Sequence, residues 1–232
     1  MRYLVLILIY YFNQNIYANE KFNNHFIYDA HFTGIKIGEA SLKTNLSMLN
    51  NRDSIIKIFF TAKTSLSLNY IFPVNDKITI DSHINTWTPI LIQQKIKEGK
   101  YKNNSKTVIS LNDSIYIYNN NKNKYIPPIY DPYSLIFLLR NELKGSSTLE
   151  KTFNVINNGK IVPLNFNISK KERIKVSKGY YNSIKVIPKK KDGKLFKNQG
   201  SMTIWYSNDK ERIPIKISIK LKYGALVLSL KN

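Results

Sequence analysis

The sequence predicts a mainly β protein: a curved antiparallel sheet or half-open barrel with one buried helix at about residues 132–143. Three observations carry that expectation. Apolar and polar residues alternate with a period of two in short runs along most of the chain. Gly, Asn, Asp and Pro, which favour turns, separate those runs. Asp131 to Leu143 breaks the period, because its apolar residues would lie nearly all round a helix.

In chain order, Phe26, Tyr28, Ala30 and Phe32 share one face of the first run, with His25, Asp29 and His31 on the other, solvated face. Residues 34–38, with Gly34 and Gly38 at their ends, are expected to turn the chain. Ala40, Leu42, Thr44 and Leu46 then resume the alternation. Residues 54–62 are apolar on both faces, Ile55 and Phe59 against Ile56, Ile58 and Phe60, which suits a central strand. Leu66, Leu68, Tyr70 and Phe72 alternate with Ser65, Ser67 and Asn69, a further strand. Residues 76–84 point Ile78 and Ile80 inward.

Strands also fit residues 90–96, 106–111 and 114–118, whereas the polar segment 119–124 reads as a loop. Further runs fall at 152–156, 162–168, 173–177, 181–187 and 201–207. The clearest alternation gathers Ile213, Ile215, Ile217, Ile219 and Leu221 on one face, opposite Lys216, Ser218, Lys220 and Lys222. Pro214 is tolerated at a strand start or edge. Gly224 turns into residues 225–230, closing a terminal hairpin. The best boundary, residues 142–152, leaves neither half with a sheet of its own, so 19–232 reads as one domain.

Asp131 supplies an N-cap and Pro132 the first helical residue. Leu135, Leu138 and Leu139 lie on one side; Tyr133, Ile136 and Phe137 lie on the other. A helix apolar on both sides belongs in or against the concave face of the sheet. Arg140 near its end complements the helix dipole.

Residues 1–18 resemble a secretory signal: Arg2, an apolar run from Tyr3 to Phe12, then a polar stretch ending in Ala18. Ten apolar residues fall short of the roughly 20 needed to span a hydrocarbon core. Cleavage near Ala18 and a periplasmic or otherwise extracytoplasmic location are therefore expected. The chain has no cysteine, which excludes a disulfide framework, thiolate zinc and a cysteine nucleophile. Its formal charge of +21 fits a polyanionic partner. The joint abundance of Lys, Asn and Ile is also what an AT-rich genome produces, and the lysines are scattered. The densest run, at residues 189–194, reads as a charged hairpin tip.

Tyr28, Gly34 and Gly38; Asp81 and Trp87-Thr-Pro89; the run Asp131 to Arg140; Trp205 to Asp209; then Arg212-Ile-Pro-Ile215 and Gly224 follow one another along the chain. In these residues the chain resembles the bacterial exported family catalogued as domain of unknown function 3108. The resemblance implies an extracytoplasmic, mainly antiparallel β protein and supplies no activity. By analogy of fold alone, the architecture is similar to the half-barrels of lipoprotein carriers.

Catalytic signatures are thin. No Gly-x-Ser-x-Gly, His-Glu-x-x-His or Walker loop occurs. His25 and His31, with Asp29, stand about 20 Å apart at their ends along an extended strand, too far for one metal ion. No catalytic residue, metal or cofactor is assigned. Asp131, Arg140, Asp209 and Arg212 read as helix cap, helix C-terminal charge, turn former and strand-edge ion pair, with a buried Arg–Asp link between helix and terminal hairpin as the sharper version. Phe32, Phe59, Tyr70, Trp87, Ile136, Phe137 and Trp205 are the candidate ligand-binding residues.

Two functions follow. The first is a periplasmic, non-enzymatic binding or carrier-like protein for an acyl-bearing or apolar ligand between sheet and helix. The alternative is a structural or interaction protein of the envelope, with a packed core and a basic surface meeting an anionic one. Nucleic acid is not the expected partner outside the cytoplasm.

Overall fold

A computed structural model describes residues 22–50, 53–70, 73–145, 150–190, 201–221 and 224–231. The signal segment, Phe72, Lys222 and residues 191–194 of the basic run lie outside them, as does part of the 142–152 boundary. In the first half, the described strands are β1 (Asn24–Phe32), β2 (Ile35–Asn50), β3 (Asp53–Thr64), β4 (Asn75–His83), β5 (Pro89–Glu98), β6 (Tyr101–Ser110), β7 (Ile115–Tyr118), β8 (Asn121–Lys124) and β9 (Ile129–Tyr130). Helix α1 (Pro132–Gly145) follows. The second half holds β10 (Glu150–Asn157), β11 (Lys160–Val176), β12 (Gly179–Lys189), β13 (Ser201–Ser207), β14 (Pro214–Leu221) and β15 (Gly224–Leu230).

All fifteen strands form one sheet, ordered β8-β7-β6-β5-β4-β3-β2-β1-β15-β14-β13-β12-β11-β10-β9. Neighbours are antiparallel except β9 and β10, which run parallel across the helical connection. The two halves are meanders that meet where β1 pairs with β15, Tyr28 opposite Leu230 and Phe32 opposite Leu226. The sheet is not closed by strand pairing. It comes round far enough for the β10–β11 turn to rest on β6 and β7, where the Tyr116 hydroxyl donates to Gly159 O at 2.9 Å. A Cβ on Gly159 would lie 2.4 Å from the Tyr118 ring.

One continuous core fills the concave side. Alternation assigns Tyr28, Leu42, Ile80, Ile215 and Ile217 to it, and all are buried, as are Ile56, Ile58, Ile204 and Tyr206 beside them. In β3 the opposite face carries Ile55, also buried, and Phe59, half-buried, as its two-sided apolar pattern suggests.

Several local expectations are corrected. Residues 65–70 are a turn, not a strand: Leu68 and Asn69 N–H both donate to Ser65 O, and Leu66 and Tyr70 stand out into solvent. Ser and Asn there offer the chain local hydrogen bonds that compete with a ladder; the Thr64 hydroxyl donates to Asn69 Oδ1 and accepts from Val74 N. The first turn is confined to Thr33 and Gly34, both at positive φ, and Ile35 to Gly38 already belong to β2. The expected loop at 119–124 is a turn at Asn119 and Asn120, again at positive φ, followed by β8, a wholly exposed edge strand of Asn and Lys. The runs at 162–168 and 173–177 join in β11, with a bulge between Ile168 and Lys170.

Asp29 is not solvated. The β11–β12 turn folds over the outer face of the sheet there, with Ser177 N–H donating to Ser229 Oγ and Lys178 N–H to Leu230 O, each at 2.8 Å.

Candidate functional site

Helix α1 is where the sequence places its polar and aromatic motifs together. Asp131 caps it as expected: Oδ1 accepts from Tyr133 N at 2.8 Å and Ser134 N at 3.0 Å. Burial pushes this carboxyl up, against the pull of those bonds, and Oδ2 has no hydrogen-bond partner among the described residues.

The helix touches both halves of the sheet. Phe137 stacks on Trp87 from the β4–β5 loop, 5.2 Å between centroids and 8° between planes, and faces Phe26 of β1 at 6.3 Å. Tyr133 meets Phe60 of β3 at 4.7 Å. From the other half, the Tyr206 hydroxyl donates to Ile136 O at 3.1 Å. Trp87 holds a φ of 61°, a conformation costly for a bulky residue. Its N–H donates to His83 O at 2.9 Å, which, with the ring stack, fixes the loop against the helix.

The helix end is tied to the β13–β14 turn, through different atoms from those expected. Arg140 Nε donates to Glu211 O at 2.9 Å, Nη1 donates to Asn24 Oδ1 at 2.8 Å, and Nη2 lies 3.7 Å from Glu211 Oε2. The buried Arg–Asp link is therefore not formed; Arg140 instead holds the β13–β14 turn through the Glu211 carbonyl, with the exposed Glu211 carboxylate beyond it. Asp209 forms the turn as expected: its Oδ1 accepts from Ser207 Oγ and from Glu211 and Arg212 N–H. Those bonds outweigh burial and hold its carboxyl below the ordinary range. Arg212 departs from the strand-edge ion pair. At a φ of 51° it turns back and donates to Leu143 O at 3.4 Å, Ser207 O at 3.4 Å and Asn208 Oδ1 at 2.8 Å, satisfying carbonyls near the helix C-terminus. Glu211 and Asn24 were missed because nothing in their local pattern separates them from any surface acid or amide.

Of the seven candidate ligand-binding residues, the structure brings together Trp87, Ile136 and Phe137. Phe59 is on the outer face of β3, between Ile58 and Phe60 on the inner one. Trp205 is on the outer face of β13. Phe32 lies at an exposed hairpin end, and Tyr70 is 96% exposed in the β3–β4 turn. Of the three that meet, Trp87 and Ile136 keep 5% of their surface, and the packing is tightest around Phe137. Phe137, Leu139, Leu143, Ile58 and Ile80 keep 1% or less of their surface. A side chain lining a void large enough for water would keep accessible area toward it, so these residues meet protein atoms on all sides.

The outer face carries a different arrangement. Lys170, Lys185, Trp205 and Lys216 are successive cross-strand partners on β11 to β14. The ammonium groups of Lys185 and Lys216 lie 5.5 and 5.3 Å from the Trp205 ring centre. Glu172 accepts from Trp205 Nε1 at 2.7 Å and pairs with Lys170 at 2.8 Å. Hydrogen bonds from both keep its carboxyl low. His25, with Nε2 3.0 Å from Ser41 Oγ, and His31 remain on β1, and among the described residues no three His, Asp or Glu side chains gather as a metal site.

The family model for DUF3108, a protein family of unknown function, matches residues 27–231. The chain belongs to that family. No curated protein matches it. Among solved structures it is similar to a β-barrel-like protein of the DUF1849 family from Brucella abortus, at 9% identity and a TM-score of 0.57, covering 90% of this chain and 95% of that one. At that identity the likeness concerns the fold.

Proposed function

We propose that this member of the DUF3108 family is a non-enzymatic, extracytoplasmic protein that works through its outer surface, contacting an anionic partner of the cell envelope. The observation that carries the reading is the segregation of charge. Asp29, Asp76, Asp81 and Asp131 are buried, whereas Arg140 is the one buried cation among the described residues. Asp29 and Asp81 each hold one exposed lysine, Lys36 at 2.6 Å and Lys57 at 3.4 Å, while the row around Trp205 presents part of the basic excess behind the net charge of +21 on a ladder of adjacent strands. The filled contact between helix and sheet speaks against an acyl chain held there.

The test is a pair of titrations. The wild-type protein should be retained on a heparin matrix and released by added salt, because exposed charges are screened beyond a Debye length of about 10 Å at 0.1 M. The double variant Lys185→Glu, Lys216→Glu should elute at lower salt with an unchanged melting curve. Saturable binding of a fluorescent fatty acid, weakened in Phe137→Trp without loss of fold, would overturn this reading in favour of a carrier.

A further inference from the structure

We infer that one end of the sheet, the rim built from the β1–β2, β3–β4 and β5–β6 turns, is a docking surface for an anionic lipid membrane, with Leu66 and Tyr70 entering the lipid interface. The inference rests on the anionic-partner reading and names the partner and the place of contact.

The exposed apolar residues are concentrated there. Leu66 is 82% exposed, Tyr70 96% and Ile35 69%, with Phe32 and Tyr101 also exposed. Backbone bonds hold the three turns together as one platform. Phe32 pairs with Ile35 across the first hairpin. Ser65 N–H donates to Ile37 O at 2.9 Å, fixing the β3–β4 turn beside that hairpin. Gly99 N–H donates to Pro73 O at 2.8 Å, and Val74 bridges to Glu98, which faces Tyr101. The apolar residues are therefore presented by neighbouring, mutually braced turns.

Basic residues flank them. Lys63, Lys77, Lys100 and Lys102 are exposed on the strand ends and turns of this rim, whereas Lys36 is held by Asp29 at 2.6 Å. Of the carboxyls beside them, Asp76 is buried and accepts from Lys97 N–H at 2.9 Å, whereas Glu98 is exposed, and exposed Glu39 stands opposite Lys63 and pairs with Lys231. Apolar tips ringed by lysines, with a tyrosine among them, match the chemistry of an interface that is apolar below and anionic above. Away from this rim, Met48 and Ile126 stand apart from one another, and the less exposed Val108 and Ile117 form one cross-strand pair on β6 and β7.

The chain has no cysteine, so a single one can report on its own position. Leu66→Cys and, separately, Ile126→Cys would each carry an environment-sensitive fluorophore. Each would be mixed with phosphatidylcholine vesicles with and without phosphatidylglycerol. The expected result is a blue shift and several-fold brightening at position 66 with anionic vesicles, and little change at 126. Unlabelled Leu66→Ser, Tyr70→Ser should co-sediment with those vesicles roughly tenfold more weakly, with an unchanged melt, because both sites are already exposed. Equal responses at both positions, or a double variant that binds as wild type, would overturn the rim as docking site and leave the anionic-partner reading standing. Retention on heparin without vesicle binding would overturn the membrane alone. Loss of both would end both proposals.

Discussion

The sheet is joined in two places, and the joins are built differently. At one, β1 and β15 share a ladder of register pairs from Tyr28–Leu230 to Phe32–Leu226, and β15 is laddered to β14 as well. At the other, the β10–β11 turn meets β6 and β7 through side chains: Tyr116 on Gly159 O, Tyr118 against Gly159, and Asn103 Nδ2 on Asn158 Oδ1 at 3.4 Å. A ladder is cooperative and pairs the backbone groups that its two strands turn toward each other, whereas side-chain contacts are individually modest. The protein is thus firmly closed along its terminal strands and lightly closed along its far edges. The helix inside bears on both halves.

The largest expected effect is at the laddered join. Leu228→Pro removes a backbone donor and forces a fixed φ in a strand bonded on both sides, at a cost of about 3 kcal/mol or more. Urea unfolding should show loss of the whole fold, because the two meanders come apart. A variant with only local loss of hydrogen-exchange protection near β15 would show that the halves hold together without it.

One strand further in, the faces of β14 can be separated. Ile217 is buried opposite Leu228, and Ser218 faces outward. Ile217→Lys should cost several kcal/mol by burying an unpaired charge, while Ser218→Lys should stay within about 0.5 kcal/mol. Equal losses in thermal melts would contradict the placement of the core on one side of this strand.

This contrast also marks how much of the molecule could be read from sequence. Alternation found β14 and placed Ile215 and Ile217 correctly, because its two faces differ in polarity. It cannot choose the inner face of β3, where both are apolar, so it does not separate Phe59, on the outer face, from Ile58 and Phe60 on the inner one. Turn chemistry and the Asp131-Pro132 pair located α1 and its cap. The partner of Arg140 was out of reach: Glu211 lies 71 residues away, and only the sheet order brings it near. Asp29 was misassigned for the same reason, since the hairpin that covers it comes from β11 and β12. Local pattern decides elements; long-range register decides which polar residues become buried.

At the lightly built join the expected losses are smaller. Gly159 has a φ of 70°, and a methyl group there would meet the Tyr118 ring, so Gly159→Ala should cost about 1–3 kcal/mol. Tyr116→Phe removes a hydrogen bond and should cost about 0.5–1.5 kcal/mol. Both variants should remain folded, with hydrogen exchange accelerated in β6 to β8 and unchanged in β1 and β15. Acceleration throughout the sheet would mean that the two joins open together.

The smallest effects are set by pH, and the two regions should respond with opposite sign. Asp29 sits on β1 at the laddered join. Burial raises its carboxyl, but hydrogen bonds from Lys36, at 2.6 Å, and Ser177 outweigh that and hold it below its ordinary value. A lowered folded value means stability that is present above the unfolded carboxyl's pKa of about 3.9 and lost as pH falls through the folded one. Asp131, at the start of the helix that leads from β9 to β10, is raised by burial. Its contribution is fully present below the unfolded pKa and is lost as pH rises through the folded one. Acid should therefore weaken the β1–β15 region while favouring the helix cap. Urea midpoints measured from neutral pH down to about pH 3 should fall less steeply in Asp29→Asn than in wild type. The same series in Asp131→Asn should fall more steeply, because the compensating proton uptake has been removed. Parallel curves for all three proteins would show that neither carboxyl changes its proton affinity on folding.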